Sequence, residues 1–460
     1  MRNAFFGWGA GHLPLPENAS RFRPSLKGRV VIAALFAVTF VTGAHAVDVR
    51  TPKAAKGEQV WFVEDHTLPL IAMTAAFPAG SAYDPAAKPG LASFAGALMD
   101  EGAGRLNSQA FQTALSNRAI RLNVSTERDW MVVTLVTLSD NAHDAFQLLG
   151  SALAHPRFDA EAINRVRAQI LSNLAQDQED PQAVAAKTFF AAFYHDHPYG
   201  HPESGTVAGI DAIGAGDLRG FAASHWVRGD VRISVAGDVD ARTLASLLDL
   251  AFGALPLRAV PRIPPVGRVG AGNVVIVPMP VPQPVAIFGL PGPMRKDRDF
   301  IAAYVANHIL GGGDFSSRLT EEVRVKRGLT YGIDTSLDTY QRAGLFVGQV
   351  ATRADAMRES LDVVRKTMAD FAANGATQKE LDDAKTYLTG SFPLAFTSNA
   401  GIAGQLNAFQ RAGLPVDYLA HRNALINAVT LDDVKRVAKR LFNPAHMTVV
   451  VAGTLPPAKK

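Results

Sequence analysis

The sequence predicts an α+β protein made of two homologous halves, each an antiparallel sheet covered on one face by helices. Three observations carry this. Strand-like and helix-like segments alternate along the whole chain of 460 residues. The run Val231-Arg232-Ile233-Ser234-Val235-Ala236-Gly237 returns as Met447-Thr448-Val449-Val450-Val451-Ala452-Gly453, displaced by 216 residues, the length of a domain. Between the two copies, residues 256–284 gather Pro261, Pro264, Pro265, Pro278, Pro280, Pro282 and Pro284 among glycines, the composition of a linker. The expected layout is a leader over 1–46, a first domain over 47–255, a linker over 256–272 and a second domain over 273–460. An apolar content of 48% is enough for a sizeable core in each half.

In order, residues 59–63 and 70–77 read as a strand pair around the Glu64-Asp65-His66 turn. A helix follows over about 89–100, with Leu91, Phe94, Ala95, Leu98 and Met99 on its apolar face, and Asn107 and Ser108 cap another to about 119. Residues 122–126 and 130–138 alternate like antiparallel strands. Helices are expected over 141–154, 159–178, 181–193 and 217–226, then a strand over 231–236. In the second half, strands are expected at 273–277, 285–289, 331–337, 344–351 and 447–451. Helices are expected at 299–310, 354–374, 377–390 and 431–441.

The leader has a physical signature of its own. Arg21, Arg23, Lys27 and Arg29 precede an apolar run over 30–42, and Ala44-His45-Ala46 follows as a small-x-small cleavage site. Such a run is short for a bilayer span, so the expectation is a cleavable secretory signal, a periplasmic address and no membrane segment after cleavage. The leader holds five basic residues (with Arg2) and one acid, Glu17; the rest of the chain has 41 of each sign, so its formal charge is zero. Nothing in that balance favours nucleic acid. There are no cysteines, which excludes disulfides, cysteine metal sites and thiol catalysis.

The most informative stretch is 311–331. Gly311, Gly312 and Gly313 allow a tight turn that presents bare N–H groups. Ser316 and Ser317 are suitable helix N-caps, Leu319 and Val323 follow at helical spacing, and Gly328 stops the helix. Arg324 falls near the helix end and Tyr331 at the start of a strand, so a turn between them can aim both at one point. A guanidinium fork and a phenol suit a peptide carbonyl and the negative charge it develops during attack.

This stretch, Gly-Gly-Gly-Asp-Phe-Ser-Ser-Arg-Leu-Thr-Glu-Glu-Val-Arg-Val-Lys-Arg-Gly-Leu-Thr-Tyr, resembles the C-terminal half of the pitrilysin/insulinase family of zinc peptidases, which includes the mitochondrial processing peptidases. The resemblance implies two homologous halves, and it implies that Arg324 and Tyr331 bind substrate and assist its transition state. It also implies a peptide-binding role for Gly311, Gly312, Gly313, Phe315 and Ser316. In that family the first half carries zinc on a His-x-x-Glu-His helix, with a third ligand about 75 residues on and the Glu as general base. The matching frame here is 90–99. It puts Ser93 and Ala97 at the His positions, Gly96 at the Glu, Asn173 at the third ligand, and Val166 where a further acid is expected. None of these can hold zinc at useful affinity.

His195, His197 and His201 lie in a Pro/Gly-rich loop and read as structural rather than metal-binding, and the Gly311 run lacks the Lys of a phosphate loop. The resemblance therefore implies a non-catalytic, substrate-binding subunit of a heterodimeric peptidase. Its partner would be a homologous catalytic chain bearing His-x-x-Glu-His, its substrates peptides, and the zinc would belong to the partner, with no cofactor in this chain. The alternative is a structural or chaperone-like pseudopeptidase, as in the respiratory cytochrome-reductase core proteins.

Overall fold

The computed structural model describes residues 48–52 and 59–457; the expected signal peptide over 1–46 lies outside them. The first half begins with β1 (Gln59–Glu64), β2 (Leu70–Phe77), α1 (Leu91–Ala97), the two-residue strands β3 (Gly102–Ala103) and β4 (Leu106–Asn107), and α2 (Ser108–Ser116). It continues with β5 (Arg121–Thr126), β6 (Met131–Leu138), α3 (Ala142–Ala154), α4 (Ala160–Asp177) and α5 (Pro181–Tyr194). It ends with α6 (Val207–Ala212), α7 (Ala215–His225), β7 (Arg232–Gly237) and α8 (Ala241–Phe252). The second half holds β8 (Val274–Val277), β9 (Val285–Gly292), α9 (Phe300–Asn307), β10 (Thr330–Thr339) and β11 (Gly344–Thr352). After them come α10 (Met357–Asn374), α11 (Gln378–Gly390), α12 (Asn399–Arg411), α13 (Tyr418–Asn427), α14 (Leu431–Leu441) and β12 (Thr448–Ala452).

Both sheets have one topology. The first runs β1-β7-β2-β6-β5 and the second β8-β12-β9-β11-β10. The echo seen in the sequence is thus the pair β7 and β12, each the second strand of its sheet. Each lies parallel to an edge strand and antiparallel to the next: Phe62 and Met73 both face Val235, and Val275 and Ile287 both face Val450. The sheets are therefore antiparallel except for one parallel pair at an edge.

This corrects the expected hairpin of β1 with β2. Residues 65–69 step over the end of β7, where Asp65 N donates to Gly237 O (3.1 Å) and Asp238 N to Leu70 O (3.0 Å). Two strand spacings are about 10 Å, and five residues bridge that easily. A local turn signal reports a change of direction, but not whether a distant strand fills the gap.

Helices also cover both faces, not one. In the first half α3 and α8 pack together on the inner face of the sheet, while α12, from the second half, lies across β7 and β2 on the other. In the second half α9, α10 and α14 form the inner layer, while α5, from the first half, lies across β12 and β9. Each half thus lends one helix to the other. A strand covered on both faces reads as an unbroken apolar run, and all five residues of β12 are buried.

The two lent helices adhere differently. α5 presents Phe189, Phe190, Phe193 and Tyr194, all buried, and Phe189 packs so close to β9 that a Cβ on Gly289 would meet its ring at 2.5 Å. α12 instead uses amides. Asn407 Nδ2 donates to Thr74 O (3.1 Å) and Arg232 O (2.8 Å), and Gln410 accepts from Ser234 Oγ (2.9 Å) and donates to Gln59 O (3.1 Å). The linker has no regular structure and threads along α5, where Gly270 N donates to Phe193 O (2.7 Å). The described residues from Val49 onward pack as one body.

Candidate functional site

Helix α9 runs into a wider π-turn over His308–Gly312, so the glycine run continues the helix rather than breaking it. None of the three glycines has a positive φ. They are needed for close approach. A Cβ on Gly311 would lie 2.5 Å from Thr335 Oγ1 on β10, one on Gly312 2.6 Å from Asn307 Nδ2, and one on Gly313 2.7 Å from His308 O. Gly311 and Gly313 are buried; only Gly312 is exposed. The expectation of three bare N–H groups is thereby corrected: close packing of this turn against Thr335 of β10, Asn307 and His308 explains the run. Thr335 Oγ1 donates to Asn307 Oδ1 (2.8 Å) and Asn307 Nδ2 to Thr335 O (3.2 Å), fixing that contact.

A 3-10 turn, Asp314–Ser316, follows, with Ser316 N (3.0 Å) and Ser316 Oγ (2.8 Å) both donating to Gly313 O. Ser317, not Ser316, caps the next helical segment, accepting from Thr320 N at 3.3 Å. That segment ends in a second π-turn, Thr320–Val325, closed by Gly328 at φ +62°. Gly328 N donates to Arg324 O (2.9 Å) and Leu329 N to Val323 O (3.0 Å). The chain then enters β10 through a bulge between Thr330 and Ile333. Thr330 Oγ1 bridges Gly332 O and Ala351 O there, and Tyr331 is left 89% exposed.

Of four cations in the stretch, three are bound by carboxylates. Lys326 and Arg327 both hold Glu322, at 2.6 and 2.7 Å. Arg318 forks onto Glu380 (2.6 and 2.8 Å), reaches Gly375 O (2.9 Å) and lies over the Phe371 ring. Burial would raise the Glu380 carboxyl, but Arg318 and the Thr377 cap outweigh it and bring it down to about 2. Arg318 therefore pins the stretch to the α10–α11 junction, a role the sequence reading missed although the Thr377-x-x-Glu380 capping box marked its partner. Arg324 differs. Among the described residues no carboxylate pairs with it; its Cζ stands 4.5 Å from the centroid of the Phe315 ring, which is itself 70% exposed.

The first-half positions lie elsewhere. Asp84 accepts from Gly90 N (2.6 Å) and Ala92 N (2.7 Å) at the start of α1, and burial raises its carboxyl to about 7. On α1, Ser93 Oγ donates to Glu203 O (2.8 Å), Ala97 is exposed and has no donor atom, and Gly96 is buried so tightly that a Cβ would meet Thr126 Oγ1 at 2.8 Å. On α4, Asn173 Oδ1 accepts from Gln169 (2.9 Å), and Val166 is buried. This donor set does not fit zinc: one hydroxyl and one amide face, with no imidazole, thiolate or carboxylate among the four. Among the described residues no three His, Cys, Asp or Glu side chains are grouped to hold a metal. The His loop is structural: His197 Nδ1 accepts from Tyr199 N (3.1 Å), its Nε2 lies 3.0 Å from Pro264 O, and burial depresses the His201 imidazole.

The fold and this site define a duplicated two-sheet chain whose α1 offers one serine hydroxyl and no imidazole or carboxylate at the positions Ser93, Gly96 and Ala97. The insulinase (peptidase family M16) model matches residues 60–207, and that of the peptidase M16 inactive domain matches 212–388. The chain belongs to peptidase family M16. It is 28% identical over 394 residues to the non-peptidase homolog YmxG of Helicobacter pylori, covering 85% of this chain and 89% of that protein. It is 27% identical over 352 residues to an uncharacterized zinc protease of Streptomyces coelicolor, covering 74% and 76%. The crystal structure of a peptidase M16 inactive domain from Pseudomonas fluorescens superposes with a TM-score of 0.84 at 31% identity, covering 90% of this chain and 99% of that one. These likenesses support a non-catalytic chain.

Proposed function

We propose that this chain is the non-catalytic, substrate-binding subunit of a heterodimeric zinc peptidase of the periplasm. The observation that carries the reading is the coexistence, in one chain, of a guanidinium that no carboxylate pairs among the described residues, Arg324, and an exposed phenol, Tyr331, with Ser93, Gly96, Ala97 and Asn173 at the metal positions. An unpaired guanidinium keeps its donors for a ligand, and a peptide carbonyl is the group such a fork and a phenol can hold together. The metal and its activated water would come from a homologous partner bearing His-x-x-Glu-His, and Arg324 and Tyr331 would reach the scissile bond across a shared chamber. Gly312, Phe315 and Ser316 would line the approach. The basic-apolar-small leader over 1–46 supports export.

A scaffold reading has one observation in its favour, the burial of Gly311 and Gly313, which removes most of the expected backbone contact surface. Reconstitution separates the two. Alone, the purified chain carries no stoichiometric zinc and cleaves no peptide; with the His-x-x-Glu-His partner it restores cleavage. Arg324→Ala and Tyr331→Phe then lower turnover while the complex still assembles. Wild-type turnover in both variants would leave the scaffold reading standing and remove the first. Osmotic-shock fractionation of cells tests the address.

A further inference from the structure

We infer that Phe315 is the positioning residue that holds Arg324 ready for the peptide, an inference resting on the reading of Arg324 as the gripping group. A carboxylate would fix a guanidinium by occupying its N–H donors and neutralising its charge. An aromatic face fixes it through the ring quadrupole and leaves the edge donors free. Phe315 stands in that relation to Arg324, 4.5 Å from Cζ to ring centroid, while Arg318, Lys326 and Arg327 are all held by acids.

The ring is itself set in place. It sits on the 3-10 turn tied by Ser316 to Gly313 O. Gly313 in turn packs against His308, whose ring stacks on Tyr387 at 5.0 Å. With 70% of Phe315 open to solvent, core packing does not account for an aromatic there. Val325, 60% exposed, and Tyr331 are further exposed apolar side chains of the same stretch. The ligand this suits is an extended peptide that offers a backbone carbonyl to Arg324 and an apolar side chain to the ring edge.

The test uses the reconstituted complex and a quenched fluorogenic peptide. Phe315→Leu keeps apolar bulk but removes the ring face, and lowers kcat/KM about fivefold, the upper range of an exposed cation–π contact. Phe315→Tyr and Phe315→Trp restore it. In an Arg324→Ala background, Phe315→Leu costs nothing more. In the isolated chain, the Arg324 side-chain proton resonances lose their ring-current shift in Phe315→Leu. Leu performing as well as Phe, or its loss persisting without Arg324, overturns the inference while the reading of Arg324 stands. Wild-type activity of Arg324→Ala alone removes that reading, and this inference with it.

Discussion

Arg318 and Glu380 form a two-pronged ion pair that ties the start of the 318–331 stretch to the cap of α11. Arg318 Nε and Nη2 meet the two carboxylate oxygens at 2.6 and 2.8 Å. Because the carboxyl is brought from 4.5 to about 2, its contribution to stability is present above pH 4.5 and lost as pH falls through 2. Glu380→Gln should destabilise the chain by about 2 kcal/mol at pH 7, the range for charge-assisted hydrogen bonds. Urea midpoints of variant and wild type should converge as pH drops from 4.5 towards 2; a gap unchanged over that window would exclude the ion pair as its source.

Asp129 and Tyr199 behave in the opposite sense. Tyr199 OH donates to Asp129 Oδ1 (2.7 Å) and accepts from Arg342 N (3.1 Å), while Gln341 N donates to Asp129 Oδ2 (2.6 Å). One buried carboxylate thus joins the β5–β6 turn to the β10–β11 hairpin of the other half. Burial raises its carboxyl from 3.8 to about 6, against the pull of Tyr199 and Gln341. A raised carboxyl contributes stability below pH 3.8 that is lost as pH rises through 6. Asp129→Asn should remove that part of the decline, read as a flatter dependence of melting temperature on pH between 4 and 6. Tyr199→Phe, which leaves Asp129 Oδ1 and Arg342 N without that partner, should cost ~1–3 kcal/mol.

Gly311→Ala distinguishes the packing role of the glycine run from a binding role. Its Cβ would enter 2.5 Å from Thr335 Oγ1 and 2.8 Å from Thr335 Cγ2, on a residue locked to Asn307. Overpacking of that kind costs ~1–3 kcal/mol. The variant should therefore melt earlier, and Gly312→Ala, whose Cβ meets mainly the Asn307 amide, should be milder. Full stability with weakened peptide binding in Gly311→Ala would return the run to the binding site.

α14 is legible to the residue, because Thr430 and Asp433 close a capping box and Val434, Val437 and Ala438 fall on one face. α8 carries a comparable signal, with Asp240 capping Arg242 and Thr243, yet the sequence reading does not place it. α12 is harder to see: Gly401 and Gly404 weaken its propensity, and its buried face carries Asn407 and Gln410, polar groups whose partners are strand carbonyls of the other half. Arg324 and Tyr331 are legible as residue types. Whether a neighbouring acid neutralises the arginine depends on the surrounding fold, and only Lys326 and Arg327 have their partner, Glu322, close in sequence.

The exchanged helices make a claim about folding. α12 covers β7 and β2 of the first half, and α5 covers β12 and β9 of the second. A piece ending at residue 255 would lose α12 and expose that face, including Thr74 O and Arg232 O, which accept from Asn407. It would also leave Phe189 and Phe193 of α5, both fully buried in the whole chain, without their counterpart on β9 and β12. Burying an aromatic side chain contributes roughly 1.5–3 kcal/mol, a loss of the same order as the whole stability of a small domain once several are exposed. The isolated halves should therefore lack near-ultraviolet dichroism and bind a hydrophobic dye, whereas the whole chain unfolds in urea in one transition reported alike by Trp61 and Trp226 fluorescence and by helix content. Asn407→Leu should lower the midpoint of that single transition, by about 2 kcal/mol for the amide hydrogen bonds it removes, without splitting it. Two resolved transitions, or a first half that folds alone, would mean that the lent helices are ornaments on two self-sufficient domains.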